Sequence, residues 1–302
     1  MRYSIVLSYA GAGFCGWQRQ PSDPSVQECL EDALGKLLGG EVPVIGAGRT
    51  DTGVNAIGYV ACFDGPEGLA ADDFRYKLNA ILPRSIVVSQ VVPAAPDFHA
   101  RFDAVRREYT YFIHREKDPF VEAFSWQCGY PGLDFEAMNA AAGMLVGTHD
   151  FSCFEKVGAD NKTSVCTVFE AYWAQYTPSL YAVMPPEQGR LPASGGQYWY
   201  FRISADRFLR NMVRAIVGTL IEVGRGKRSV DDFAGLILPF DLPEQGSLSA
   251  PLPPRTRPTQ KTSAERLPVS GNAPSTKANA PLRSLAGESV PGHALFLSKV
   301  EY

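Results

Sequence analysis

The chain has 302 residues, 45% of them hydrophobic and 20% charged, which excludes a disordered or fibrous polymer and fits one large or two ordinary cores. A formal net charge of −3 gives no global attraction to nucleic acid, so any RNA-binding surface has to be local. Without an apolar run of about 18 residues, a leader-like start or any Cys-x-x-Cys pair among the six cysteines (Cys15, Cys29, Cys62, Cys128, Cys153, Cys166), the expectation is a cytoplasmic protein with reduced thiols, no metal site and no membrane segment.

Residues 3–9 read as a strand, and Ser25-Val26-Gln27-Glu28 has the spacing of a capping box that opens a helix ending at Gly39-Gly40. Val26, Leu30, Ala33, Leu34, Leu37 and Leu38 give that helix one apolar face. Strands are predicted at 42–47 and 57–63, then a helix at about 71–82 with Phe74, Leu78, Ile81 and Leu82 on one side, stopped by Pro83 and followed by a strand at 86–92. The second half repeats the vocabulary. It has a strand at 106–114, a helix from about Asp134, strands near 165–175 and 197–204, and a long helix from about Ser204 to Val223. This mixture favours α+β with largely antiparallel sheets, in two similar domains, 1–104 and 105–302, sharing a continuous sheet. The stretches 178–196 and 239–281, rich in Pro, Ser, Thr and Ala, lack periodicity and read as insertions or flexible loops.

Gly11-Ala12-Gly13-Phe14-Cys15-Gly16 fits G-x-G-x-x-G after a strand, but prolines at 21 and 24 follow where a dinucleotide fingerprint needs a helix N-terminus. No cofactor is expected from it; the match reads as a tight glycine turn.

In Gly46-Ala47-Gly48-Arg49-Thr50-Asp51-Thr52-Gly53, the glycines allow a sharp turn and close backbone approach, and Asp51 projects between two strands. An aspartate in such a turn most often caps its own loop and pairs with the nearby Arg49; an ionised one is also a nucleophile. Two further features favour chemistry over capping. The strand from Arg106 puts Tyr109, Tyr111 and Ile113 on one face, offering rings on which a base could stack. Arg207, Arg210 and Arg214, three and four apart, would line one stripe of the long helix as a phosphate track. Residues 202–228 hold seven basic and two acidic side chains, and Phe98-His99-Ala100-Arg101-Phe102 adds another basic and aromatic segment.

Together these residues resemble the TruA-type tRNA pseudouridine synthase family. The resemblance runs through Phe14–Gln20, Gly48–Ala56, Leu78–Pro83, Phe98–Ala104, Arg107–Tyr111, His149–Phe151, Phe208–Arg214, Val217–Leu220, Val223–Gly226 and Val290–Leu295. It implies a cofactor-free isomerase that turns uridine into pseudouridine at positions 38 to 40 of the tRNA anticodon stem-loop. It also implies a homodimer, with helices on one side of the sheet and a basic cleft between the halves. Asp51 takes the catalytic place, Tyr109 and Arg214 the other active-site places, and Arg49 the nucleotide-flipping place. Arg207, Arg210, Arg101 and Asn55 are the expected RNA contacts. Thr52 and Asn55 stand where the family usually has alanine and histidine. The rival readings are a non-catalytic tRNA-binding or folding module, and a nucleoside hydrolase that would need a second carboxylate, for which Asp150 is the candidate.

Overall fold

The computed structural model describes residues 1–158, 163–183, 197–239 and 282–302. Along the chain lie β1 (Arg2–Tyr9), α1 (Val26–Leu38), β2 (Ile45–Gly46), β3 (Asn55–Asp64), α2 (Ala71–Ile81), β4 (Ile86–Pro93), β5 (Arg106–His114), β6 (Trp126–Gln127), α3 (Phe135–Gly143), β7 (Gly147–Asp150), β8 (Val165–Gln175), α4 (Ser179–Val183), β9 (Tyr198–Ala205), α5 (Met212–Gly224), α6 (Val230–Ala234), β10 (Leu238–Pro239) and β11 (Leu295–Glu301). Short α4 occupies part of 178–196; residues 184–196 of that segment, and all but the first residue of 239–281, lie outside the described residues. Among the described residues no helix is long and apolar enough to cross a membrane.

The fold is α+β. The strands form one sheet in the order β10, β7, β8, β9, β5, β11, β3, β1, β4, with β2 paired to β3 and β6 to β5. Most neighbours are antiparallel, as expected; β11 with β3 and β5 with β6 are parallel. β11 is the seam of this sheet. It pairs with β5 along one edge and with β3 along the other, so the two halves of the chain meet across it.

Two cores lie on one face of the sheet. The first packs β1 and β3 residues such as Ile5, Leu7, Tyr59 and Phe63 against Leu30 and Leu34 of α1 and Phe74 and Leu78 of α2. The second packs Tyr111, Ile113, Phe201 and Ile203 against Met138 of α3 and Ile216 and Leu220 of α5. Tyr109, Leu297 and Ala56 stand side by side across the seam, and Tyr109 touches both cores. The cores therefore share a face, with Tyr109 where they meet.

Local chemistry sets the helix ends. Ser25 caps α1 by accepting the Glu28 N–H at 3.2 Å, and Gly39 closes it at φ 78°. α2 stops one residue early because Leu82, preceding Pro83, is extended at ψ 148°, which leaves Leu82 buried and Ile81 39% exposed. The larger correction concerns α5. It begins at Met212 rather than near Ser204, because β9 runs to Ala205 and Asn211 takes a left-handed conformation at φ 65°. Arg207 and Arg210 thus belong to the connection between β9 and α5, and only Arg214 is helical.

Candidate active site

The Asp51 loop is held from behind by a second loop. Gly11 lies so close that a Cβ there would sit 2.2 Å from the Val54 carbonyl oxygen, and one on Gly16, at φ 94°, would sit 2.3 Å from that of Thr50. The glycines of the false dinucleotide motif thus let one loop press against another. Trp17 N–H donates to Thr50 O (3.3 Å), Gly53 N–H to Phe14 O (3.2 Å), and the buried Tyr9 and Thr50 hydroxyls share a 2.9 Å hydrogen bond. Tyr59, stacked on Trp17 at 4.1 Å, donates to Gly48 O. Asp51 is consequently presented by a backbone fixed on both sides.

Asp51 and Arg214 meet, with Oδ2 and Nη1 3.8 Å apart and both side chains partly exposed. Arg214 does not hang free from α5: its Nε donates to Val290 O at 2.7 Å, while its own carbonyl accepts the Val290 N–H at 3.2 Å. The segment 286–293 runs along α5 and then crosses to the Asp51 loop. A Cβ on Gly218 would fall 1.8 Å from Glu288 O, and one on Gly292 would fall 2.5 Å from Thr52 O. One stretch of backbone therefore sets both the carboxylate and its arginine.

Tyr109 completes the group. Burial raises its phenol pKa well above the ordinary tyrosine value, the Asp51 charge pushes the same way, and Arg107 opposes them. It stays protonated at neutral pH and can donate a hydrogen bond. Phe208 braces its ring edge-on at 5.0 Å. Tyr111 and Ile113, on the same face, are fully buried in the core, so of the expected stacking face only Tyr109 reaches the site.

Three arginines converge beside it from three loops. The Arg101 pKa is lowered, first by partial desolvation and then by the positive charges of Arg49 and Arg207. Arg49, Arg101 and Arg210 are exposed, and Arg207 is half-buried. The remaining charge of 202–228 disperses. Arg202 points to the opposite face, 3.6 Å from Glu108 and over the Tyr200 ring; Arg225 covers Tyr130 at 3.7 Å; Arg228 pairs with Glu222 at 3.0 Å.

Asn55 is corrected from an RNA contact to a structural residue. It is 2% exposed; its Oδ1 accepts the Gly11 N–H at 2.8 Å and its Nδ2 donates to His293 O at 2.7 Å. Asp150 accepts the Ser152 N–H at 2.8 Å just ahead of the turn Ser152–Phe154, from a strand five places from β3 in the sheet, so it supplies no second carboxylate beside Asp51. The sequence reading missed Val290, whose carbonyl gives no side-chain signal. It also missed Arg107, although its register with Tyr109, Tyr111 and Ile113 marks it as an arginine on the core face.

A family model described as tRNA pseudouridine synthase matches residues 5–103 and 141–256. The chain is 40% identical over 303 residues to tRNA pseudouridine synthase A of Parabacteroides distasonis, covering all of this chain and 96% of that one. It is 42% identical over 305 residues to tRNA pseudouridine synthase A of Bacteroides fragilis, with 100% and 96% covered, and 36% identical over 249 residues to that of a Geobacter species, with 82% and 93% covered. The Asp51 loop falls inside the first matched segment and Arg214 inside the second, so with full-length likeness to the Parabacteroides and Bacteroides proteins the chain belongs to the tRNA pseudouridine synthase family.

Proposed function

We propose that this protein isomerises uridine to pseudouridine at positions 38 to 40 of the tRNA anticodon stem-loop, with Asp51 as the catalytic carboxylate. The observation that carries the reading is the meeting of Asp51, Arg214 and a protonated Tyr109, contributed by a loop, a helix and a strand, next to three convergent arginines. The reaction breaks the N1–C1′ bond, turns the uracil and joins C5 to C1′; C5 loses its proton and N1 gains one. Oxidation state is unchanged, so the chemistry calls for no redox cofactor.

The target base leaves its stack at a cost of about a few kcal/mol, and Arg49 takes the vacated place. Tyr109 lies against the flipped uracil, and Arg214 pairs with Asp51 and aims it. The carboxylate then attacks C1′ or C6, or removes a sugar proton to give a glycal; every route needs it ionised at the start. Arg101, Arg207 and Arg210 hold phosphates of the stem. The halves 1–104 and 105–302 act as two domains walling the cleft.

The same reading makes the protein a cytoplasmic homodimer. Support for the dimer comes from the sheet face opposite the helices, where Phe112 contacts Tyr176, Tyr200 and Phe296 at 5.1, 6.3 and 5.5 Å and Phe124 is 48% exposed. Sedimentation velocity measures the assembly directly. The activity is tested with tRNA carrying tritium at uracil C5. Release by the wild-type protein and none by Asp51→Ala, at nearly unchanged tRNA affinity, is the expected result. Intact binding without release by the wild type would replace the enzyme with a tRNA-binding module.

A further inference from the structure

Arg107 is on β5 two residues before Tyr109, and only 9% of it is exposed. Its guanidinium donates from Nε and Nη2 to Ala47 O (3.3 and 2.9 Å), from Nη1 to Ala104 O (3.2 Å) and Asp206 O (2.9 Å), and from Nη2 to Arg101 O (2.6 Å). These carbonyls come from three separate stretches of chain. Ala47 opens the loop that bears Arg49 and Asp51. Arg101 and Ala104 belong to the turn before β5. Asp206 opens the connection that bears Arg207 and Arg210.

A planar fork of five N–H donors can reach acceptors on several loops at once, which a single ammonium cannot. The three stretches gathered this way carry Arg101 and the two arginines, Arg49 and Arg207, whose positive charges bear on it. Like charges at close range repel, so loops bearing them would spread if nothing held their backbones. A phosphodiester, whose one negative charge is shared by two oxygens that can each accept hydrogen bonds, relieves the repulsion once the arginines are held together.

We propose that Arg107 is a positioning residue for RNA: by gathering the carbonyls of Ala47, Arg101 and Asp206 around one buried guanidinium, it presents Arg49, Arg101 and Arg207 as a single phosphodiester-binding group. The proposal rests on the reading of the cleft as a tRNA site.

The test is a double-mutant cycle on a fluorescently labelled anticodon stem-loop, measured by anisotropy over a salt series and expressed per folded molecule. Arg107→Lys keeps the charge and loses the fork; Arg107→Gln is the second variant. In the wild-type background each is expected to weaken binding about tenfold and to reduce the slope of log K against log salt by about one, the signature of a lost phosphate contact. In an Arg49→Ala/Arg101→Ala/Arg207→Ala background the same substitutions are expected to change affinity less than about twofold, because their targets are gone. Equal losses in both backgrounds, or an unchanged salt slope, would show that Arg107 serves folding alone and overturn the proposal. Failure of the wild-type protein to bind the stem-loop would overturn the tRNA reading and this proposal with it; wild-type binding with an unchanged slope in the variants refutes only the role of Arg107.

Discussion

Replacing Asn55 by alanine removes the tie between the Asp51 loop, the glycine loop behind it and the segment that anchors Arg214. The amide fills two demands at once, accepting from Gly11 N–H at 2.8 Å and donating to His293 O at 2.7 Å, in a site 2% exposed. Truncation leaves one donor and one acceptor buried without these partners, each costing about 1–3 kcal/mol, so the expected loss is about 2–6 kcal/mol. Against a total of about 5–15 kcal/mol this is large enough to read in urea denaturation monitored by tryptophan fluorescence. Asn55→His serves as the control. A neutral imidazole also has one acceptor and one donor, so histidine meets both demands and is expected to cost less than alanine. A change below about 0.5 kcal/mol for Asn55→Ala would refute the reasoning. So would unchanged stability with weaker RNA binding, which would return Asn55 to the RNA-facing surface.

Gly218→Ala tests the strap along α5. A mid-helix glycine exchanged for alanine ordinarily stabilises by about 1 kcal/mol, but here the new Cβ meets Glu288 O. The expected sign is therefore reversed, a loss of about 1–3 kcal/mol from overpacking, with slower turnover as Val290 shifts under Arg214; a gain in stability would contradict the packing. Alkaline stability supplies another check. Burial raises the phenols of Tyr9, Tyr59 and Tyr111 well above the ordinary value, so above about pH 10 the unfolded chain ionises them while the folded chain does not. The unfolded state then binds fewer protons, and stability falls as pH rises, by up to about 1.4 kcal/mol per pH unit for each tyrosine; equal denaturation midpoints at pH 9 and pH 11 would count against it.

Local pattern carried much of this architecture. The strand predicted at 106–114 is found with those bounds, because Arg107, Tyr111 and Ile113 turn inward while Arg106, Glu108 and Phe112 between them stay half-exposed. The start of α5 was hidden by accident of spacing. Phe208, Met212 and Ala215 continue a helical rhythm through Asn211, and nothing in composition separates an asparagine with positive φ from a helical one. Asp51 was visible because glycines and a charge crowd a short turn, whereas its support was not. Val290 acts through a carbonyl, Gly11 and Gly16 through a missing Cβ, and Arg107 through backbone acceptors 60 and 99 residues distant. Such long-range backbone contacts leave no periodicity to read.

The seam strand has a consequence for synthesis. β11 begins at Leu295 and is made after every other described strand, yet it stands between β5 and β3. As the chain leaves the ribosome at about 5–20 residues per second, each half can collapse on its own core while the edges of β3 and β5 await their partner. Asp51 has then already been synthesised on one side of the gap and Tyr109 and Arg214 on the other. A ribosome that stalls before residue 295 releases a nascent chain with two unpaired strand edges and a divided site, a substrate for chaperones rather than a slow enzyme.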